Sequence, residues 1–275
     1  MSEIMDKAEA LRALHAGPGP LVLPNAWDAA SAVVFERAGA RAIGTTSVGI
    51  ANALGYSDGE AWLPPDEMLW VVGHIARAVD LPVTADVEGG YGDVAVTAAA
   101  ALAAGAVGLN VEDHVGDEDG VIPIAQAVDA VHAVHEAGER HGVPVVVNAR
   151  TDTLVRGGTV ADAIERGTAY LAAGADCVFV VGARERAEIG ELVRRIPGPV
   201  NVLASPGGLT VAELTDLGVR RISIGGAAFA AATAGVARLA ADLLGAGTMV
   251  PADNRDDLPD FNAVFRARAA GIAVP

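Results

Sequence analysis

The sequence predicts a (β/α)8 barrel, on three observations. One unit recurs: a helical pattern ends in Gly, passes into a short β-branched run and closes on polar residues or glycines. It is visible in RAGARAIGTTS (37–47), LAAGAVGLNVEDH (102–114), LAAGADCVFVVGA (171–183) and TDLGVRRISIGG (215–226). Each Gly suits a helix C-cap that hands the chain to a buried parallel strand. Filling in the intervening runs yields eight strand–helix alternations, and a length of 275 residues matches the roughly 250 that one such barrel needs.

In order, strands are expected at 21–24, 42–46, 83–87, 108–111, 143–149, 177–181, 200–204 and 221–224. All are short and mostly apolar, as strands covered on both faces must be. The runs between them, such as PDEMLWVVGHIARAVD and VADAIERGTAYLAAGA, carry apolar residues at helical spacing. No Pro/Ser-rich linker or charge block divides the chain, so residues 1–245 form one barrel domain whose last helical run is 227–244. Residues 246–275 form a tail with a turn region and a short helix, suited to subunit contacts.

Composition narrows the partners. Hydrophobic residues at 52% and charged residues at 20% supply a large core and exclude a disordered chain. Nineteen basic against 35 acidic residues give a net charge of −16, which repels a phosphate backbone or an anionic lipid surface, so neither nucleic acid nor membrane is expected as partner. The opening MSEIMDKAEALRALHAGPG has no apolar segment of signal-peptide length, and no uninterrupted run of about 20 apolar residues follows it, so a cytoplasmic location is expected. The single cysteine, Cys177, leaves no intrachain disulfide and no Cys-based zinc cluster; amid apolar neighbours it reads as inert core.

Working groups of such barrels sit at the C-terminal ends of the strands. Those ends supply Asn25 and Asp28, then Thr45, Thr46 and Ser47, then Asp86 and Glu88, then Asn110, Glu112, Asp113 and His114, then Asn148, Arg150 and Asp152, then Asn201, Ser205 and Ser223. In TADVEGGYGD (84–93), Asp86 and Glu88 stand two apart, and on a continuing strand they would share a face and repel. With Glu112 they make an oxygen-rich set without thiolates, the hard donors that suit Mg²⁺ or Mn²⁺, and a divalent cation would relieve the repulsion. Arg150 offers a permanent planar fork to a carboxylate or an oxyanion, or an ion pair to Glu112 or Asp152. The segment DHVGDEDG (113–120) reads as an acidic loop over the mouth, with His114 as a candidate general base. The glycine-rich ASPGG and SIGGAAF offer a competing phosphate cradle.

LPNAWDAASA (23–32), LGYSDGE (54–60), TADVEGGYG (84–92), GLNVEDH (108–114), NARTD (148–152) and RGTAYLAAGAD (166–176) resemble, in order and spacing, the isocitrate lyase/phosphoenolpyruvate mutase superfamily, over about residues 20–245. The resemblance implies a Mg²⁺-dependent lyase that binds a small 2-oxo or 2-hydroxy carboxylate and works through an enolate-like intermediate. By motif, it implies Asp86 as direct metal ligand, with Asp58, Glu88 and Glu112 holding the ion through water. Ser47, Val48 and Gly49 would bind the substrate carboxylate and Arg150 the oxygen that becomes the enolate. Thr46 and Asn201, read from the ends of their own strands, are expected to contact the substrate as well. It also implies a homotetramer or homodimer in which the last barrel helix, here 227–244, packs on a neighbour.

The chain departs from each branch of that family at a telling place. The loop EDHVGDEDG lacks the K-x-C-G-H type motif whose Cys protonates the departing fragment in the carbon–carbon lyases. His114 stands where the mutase branch has its first Lys, and Gly225-Gly226 stand where a decarboxylase-like branch tends to place a His. None of these branches fits cleanly, but the small loop residues and His114 offer no cation cluster for a phosphonate, so carbon–carbon lyase or decarboxylase chemistry is expected ahead of phosphoryl transfer. Phosphoenolpyruvate mutase- or phosphonopyruvate hydrolase-like P–C chemistry and a non-catalytic 2-oxo acid binding barrel are the alternatives.

Overall fold

The computed structural model describes residues 2–59, 62–114, 120–248 and 258–272. Its strands are β1 (Leu21–Leu23), β2 (Asn25–Ala26), β3 (Ile43–Thr45), β4 (Val83–Asp86), β5 (Gly108–Glu112), β6 (Val146–Thr151), β7 (Cys177–Val180), β8 (Val200–Leu203) and β9 (Arg221–Ser223). Its helices are α1 (Ser2–Ala16), α2 (Ala29–Arg37), α3 (Ser47–Leu54), α4 (Pro65–Ala78), α5 (Val94–Ala103), α6 (Ile124–His141), α7 (Val160–Ala172), α8 (Arg186–Arg195), α9 (Val211–Asp216), α10 (Ala227–Ala241) and α11 (Phe261–Ala269).

Every strand pairing is parallel, in the order β1-β9-β8-β7-β6-β5-β4-β3-β2. The ends of that order are β1 and β2, separated only by Pro24, so the sheet closes on itself. One expected strand is thus two: Pro24 has no N–H to give a ladder, while its carbonyl still accepts from Gly44 N at 2.9 Å. β1 then pairs with β9 and β2 with β3. The fold is the predicted (β/α)8 barrel.

Two strand ends differ from expectation, with consequences for the site. The strand expected at 143–149 runs instead from Val146 to Thr151, carrying Arg150 within the ladder opposite Glu112. The strand expected at 83–87 ends at Asp86; Val87 O accepts from Gly90 N in a tight turn, and Glu88 takes the left-handed conformation at φ 50°. Asp86 and Glu88 therefore do not share a strand face, and the repulsion expected from their spacing does not arise in that form.

The floor of the barrel is closed by α1, an element the strand–helix repeat did not reveal. It buries Ala8, Leu11, Leu14 and His15, and Arg12 donates to the Val145 carbonyl at 2.9 Å and pairs with Asp176. Leu11 comes so close that a Cβ on Gly108 would lie 2.7 Å from its Cδ2, so a side chain at 108 would expel the plug.

The two C-terminal helices behave oppositely. α11 buries Val264 and anchors Arg268 to Glu36 and Asp80, so the short helix expected in the tail docks on its own chain beside α2 and α4. α10 follows the last strand, yet none of its residues is buried. Together with the π-helical turn at Asp242–Ala246 it is long and apolar enough, by length and composition, to cross a membrane, although Arg238 and Asp242 interrupt it.

Candidate functional site

The C-terminal ends of the strands surround a cavity of about 180 Å³, small against the roughly 300–1,000 Å³ of ordinary ligand pockets. Of the residues expected there, Thr46, Ser47, Val48, Asp58, Asp86, Arg150 and Asn201 line it. Gly49, Glu88, Glu112 and His114 do not.

Asp86 is fixed on every side. Its backbone N–H donates to Thr45 Oγ1 at 2.8 Å; its Oδ1 accepts from Asn110 Nδ2 at 2.7 Å and its Oδ2 from Ser47 N, at the N-terminus of α3, at 3.2 Å. Thr46 caps that helix through Gly49 N. A Cβ on Gly49 would sit 2.6 Å from Thr46 Cγ2 and 3.0 Å from Trp27 Cβ, so Gly49 serves the close packing of α3 and not the cavity wall. Asp58 lies at the rim, open to solvent on one side. Desolvation by its surroundings and then the charge of Asp86 raise its carboxyl above the usual range, against the pull of a hydrogen bond with Ser47.

Arg150 is the cation of the mouth. Its Nη1 lies 2.6 Å from Glu112 Oε2, while Nε and Nη2 grip Asp152 at 2.7 and 2.9 Å, and its guanidinium stands 5.8 Å from the centroid of Phe179. Burial works against its charge, but Glu112 and Asp152 outweigh that and hold its pKa above the ordinary value. Both ion pairs allowed by the sequence are present. A guanidinium has five N–H donors; two are hydrogen-bonded to Asp152 here, and the others face Glu112 and the cavity, where a substrate oxygen can take them.

Glu112 is less settled. Its Oε2 faces Arg150 off the hydrogen-bonding direction and has no well-formed partner among the described residues, although it is buried. Burial, opposed by Arg150 and reinforced by Asp152, Asp86 and Glu88, pushes its carboxyl well above the usual range. Glu88 is buried beside it and accepts from Tyr91 OH at 2.9 Å.

His114 is held away from the cavity. Its Nδ1 meets Gly120 O at 3.1 Å, so it carries the proton, and Nε2 accepts from Arg156 at 2.6 Å. The expected general base is thus an anchor at one end of the loop; residues 115–119 lie outside the described residues. Cys177 is fully buried, and burial pushes its thiol up to about 12.

The donor set fits a divalent cation of the hard type. Among the described residues no three His, Cys, Asp or Glu side chains converge as a ready-made metal cage, so the site is not a closed carboxylate shell. What it offers is one fixed carboxylate, Asp86, a second at the rim, Asp58, and an unsatisfied buried oxygen on Glu112. That suits Mg²⁺, which takes one or two carboxylates and keeps most of its water.

Two of the expected strand-end groups are linked: Asn148 Nδ2 donates to Asn110 Oδ1 at 2.7 Å, continuing inward from Asp86. A residue missed as a functional candidate is Arg221, which lines the cavity from β9. A sequence signal existed for Arg221: in RRISIGG it stands two before Ser223, on the inward face of that strand.

A family model described as phosphoenolpyruvate phosphomutase matches residues 11–244. The chain belongs to the isocitrate lyase/phosphoenolpyruvate mutase superfamily. Within that superfamily, an uncharacterised protein of Mycobacterium tuberculosis is 38% identical over 240 residues, 83% of this chain and 88% of its own. The 2-methylisocitrate lyase of Escherichia coli is 31% identical over 76% of this chain and 73% of its own length. The oxaloacetate decarboxylase of Rhodopseudomonas palustris is 31% identical over 83% and 82%. The solved structure of 2,3-dimethylmalate lyase, named as a member of the superfamily, superposes with a TM-score of 0.83 at 26% identity, covering 95% of this chain and 94% of that one. Members are typically divalent-metal dependent, and this chain is an enzyme of the lyase type found in the superfamily.

Proposed function

We propose that the protein is a Mg²⁺-dependent lyase that decarboxylates, or cleaves a carbon–carbon bond in, a small 2-oxo or 2-hydroxy carboxylate through an enolate-like intermediate. The observation that carries the reading is Asp86, locked by Asn110 and Ser47, on the wall of a small cavity that Arg150 also lines. Asp86 would hold the cation directly, with Asp58, Glu88 and Glu112 acting through water. Bound there, Mg²⁺, or Mn²⁺ in its place, would polarise the substrate carbonyl and neutralise developing charge.

The chain's own groups do the rest. Ser47 and Val48, in the first turn of α3, present the positive end of a helix to the substrate carboxylate. The hydrogen bonds to Asp152 and the charge of Glu112 hold Arg150 in place so that its free N–H groups meet the oxygen on which enolate charge collects, and this preorganisation costs no rearrangement during reaction. Asn201 closes the wall between β7 and β9. An enolate shared by decarboxylation and retro-aldol-type cleavage is compatible with a loop that has no cysteine. P–C chemistry is disfavoured because the sequence has one lysine, Lys7, which sits on α1 at the floor beside Glu3 and cannot reach a phosphonate at the mouth.

A thermal-shift screen of small 2-oxo and 2-hydroxy acids, with and without Mg²⁺, tests the reading. Stabilisation should require metal and acid together, and the same acid should then be consumed. Stabilisation by inorganic phosphate alone, with no response to metal, would favour the glycine-rich ends of β8 and β9 as the site.

A further inference from the structure

Inside the barrel, three buried polar atoms have no hydrogen-bond partner among the described residues: Thr84 Oγ1, Asn148 Oδ1 and Arg221 Nε. All three residues line the same cavity. Buried polar groups are rarely left alone, and these three are complementary, since Nε–H only donates, the amide oxygen only accepts, and the hydroxyl does either.

The direction in which Asn148 points is imposed from the mouth. Asp86 as a carboxylate can only accept, so Asn110 must turn its Nδ2 toward Oδ1, at 2.7 Å. That leaves Asn110 Oδ1 to accept from Asn148 Nδ2, also at 2.7 Å, and Asn148 Oδ1 then faces inward. The chain of amides is polarised and needs a donor at its foot.

Arg221 is 3% exposed and, among the described residues, has no carboxylate within ion-pair distance. Its Nη1 lies 3.5 Å from His15 Nε2. His15 Nδ1 meets the Leu11 carbonyl at 2.9 Å and so carries the proton, leaving Nε2 a bare acceptor. Burial draws the guanidinium down to about 10, which leaves it charged at neutral pH. An anion beside Arg221 would meet the Asn148 carbonyl oxygen and be repelled. A water can accept from Nε and donate to Asn148 Oδ1 and Thr84 Oγ1, the two to four partners that a buried water needs.

We infer that Arg221, through one water bound between its Nε, Thr84 and Asn148, is a positioning residue that fixes the Asn148–Asn110 amide chain and thereby the orientation of Asp86. The inference rests on Asp86 being the residue that faces the cation. It makes Arg221 act by hydrogen bonding, which opposes what its charge does through space. A bare positive charge near a cation site weakens metal binding, and removing it would tighten binding.

Mn²⁺ binding to the full chain, measured by calorimetry with no substrate present, separates the two. Arg221→Met should weaken Mn²⁺ about tenfold, as should Asn148→Ser, and the double variant should lose about tenfold and not a hundredfold, because both changes break one chain. Arg221→Lys, which keeps a charged donor, should recover most of the loss. Thr84→Val, which removes one of the water's partners and leaves the charge in place, should weaken binding by a smaller factor and covers the case in which Arg221→Met fails to fold. Tighter or unchanged binding in Arg221→Met, additive losses in the double variant, or an inert Thr84→Val would overturn the relay. Asp86→Ala serves as the control. If it binds Mn²⁺ normally, the reading of the metal site itself fails; if it loses binding while the Arg221 and Asn148 variants keep theirs, only the relay fails.

Discussion

Glu112 and Asp113 are consecutive acids at the end of β5, and they live in opposite worlds. Asp113 faces the helical layer, where its Oδ2 accepts from Tyr170 OH at 2.6 Å and Arg166 Nη1 at 3.0 Å, and its Oδ1 from Asp152 N at 2.9 Å. Glu112 faces the barrel mouth, where its one cation lies off-axis, an oxygen stays unsatisfied and burial pushes its carboxyl up. A strand's alternation of faces is enough to separate them. The lesson concerns how to recognise function: the acid whose needs are all met by the chain is structural, and the acid left short of positive charge awaits a ligand.

The sharpest way to break that contrast is to neutralise each acid in turn. Asp113→Ala leaves Arg166 and Tyr170 buried without their acceptor and frees the backbone of Asp152, whose carboxylate holds Arg150; the expected loss is about 3–5 kcal/mol, typical of a buried ion pair broken on one side. Glu112→Gln should leave thermal stability unchanged or raised, since it removes a carboxylate the fold disfavours, yet it should cut metal-dependent turnover about 10–100-fold, as loss of a group orienting a metal site does. Chemical denaturation and steady-state kinetics on both variants decide it. Equal stability losses would erase the distinction.

Floor and mouth also differ in their response to acid. His15, at the floor, has its pKa lowered to about 4 by burial and then by Arg221, with Arg12 adding to the effect. Above its ordinary value of about 6.5, the ring is neutral in folded and unfolded chains alike. Between there and about 4, the unfolded chain takes up a proton that the folded one refuses, so stability falls with pH by up to about 3 kcal/mol in full. The raised carboxyls of Asp58 and Glu112 work the other way, costing stability as pH rises past their folded values. Denaturation curves from pH 7 to 4 should therefore show a steeper acid loss in the wild type than in His15→Gln, and parallel profiles would mean that the ring titrates normally.

The two C-terminal helices extend the comparison to assembly. α11 covers itself on its own chain, whereas α10 leaves Val236, Leu239, Leu243 and Leu244 at its end exposed. We propose that a second copy covers α10, as a homodimer or homotetramer. Sedimentation at micromolar concentration should give an oligomer that Val236→Asp with Leu239→Asp dissociates, while Arg268→Ala on α11 leaves it assembled. A monomer before mutation would refute the proposal.

Much of the fold was legible because it is written locally. A glycine closing a helix and a β-branched run after it are signals carried by neighbouring residues; four strands follow from them and the other four from the apolar runs between. What was not legible depends on contacts far apart in sequence. α1 becomes a plug only because Gly108 leaves room for Leu11, 97 residues away by number. Glu88 escapes the face of Asp86 through a left-handed φ that no glycine announces. In the site, residue types at strand ends picked out Asp86, Ser47 and Arg150, and the resemblance picked out Val48, all of which line the cavity, but type alone cannot say that His114 is spent on Gly120 and Arg156. Nor can it say that Arg221 points inward toward an imidazole from the first helix.

The smallest effect expected belongs to Cys177, which sharpens the contrast from the inert side. It opens β7 on the barrel interior, level with Asn148 of the neighbouring strand, and is fully buried. With its thiol pushed up to about 12, almost no thiolate exists at neutral pH, and the thiolate is the nucleophile. Cys177→Ala should therefore leave turnover within about twofold and cost roughly 1 kcal/mol for the small void left behind. Alkylation of the native thiol by iodoacetamide should proceed only as fast as the barrel opens, and accelerate in denaturant in step with unfolding. Rapid labelling of the folded protein, with loss of activity at unchanged stability, would place a reactive sulfur at the mouth and contradict the geometry.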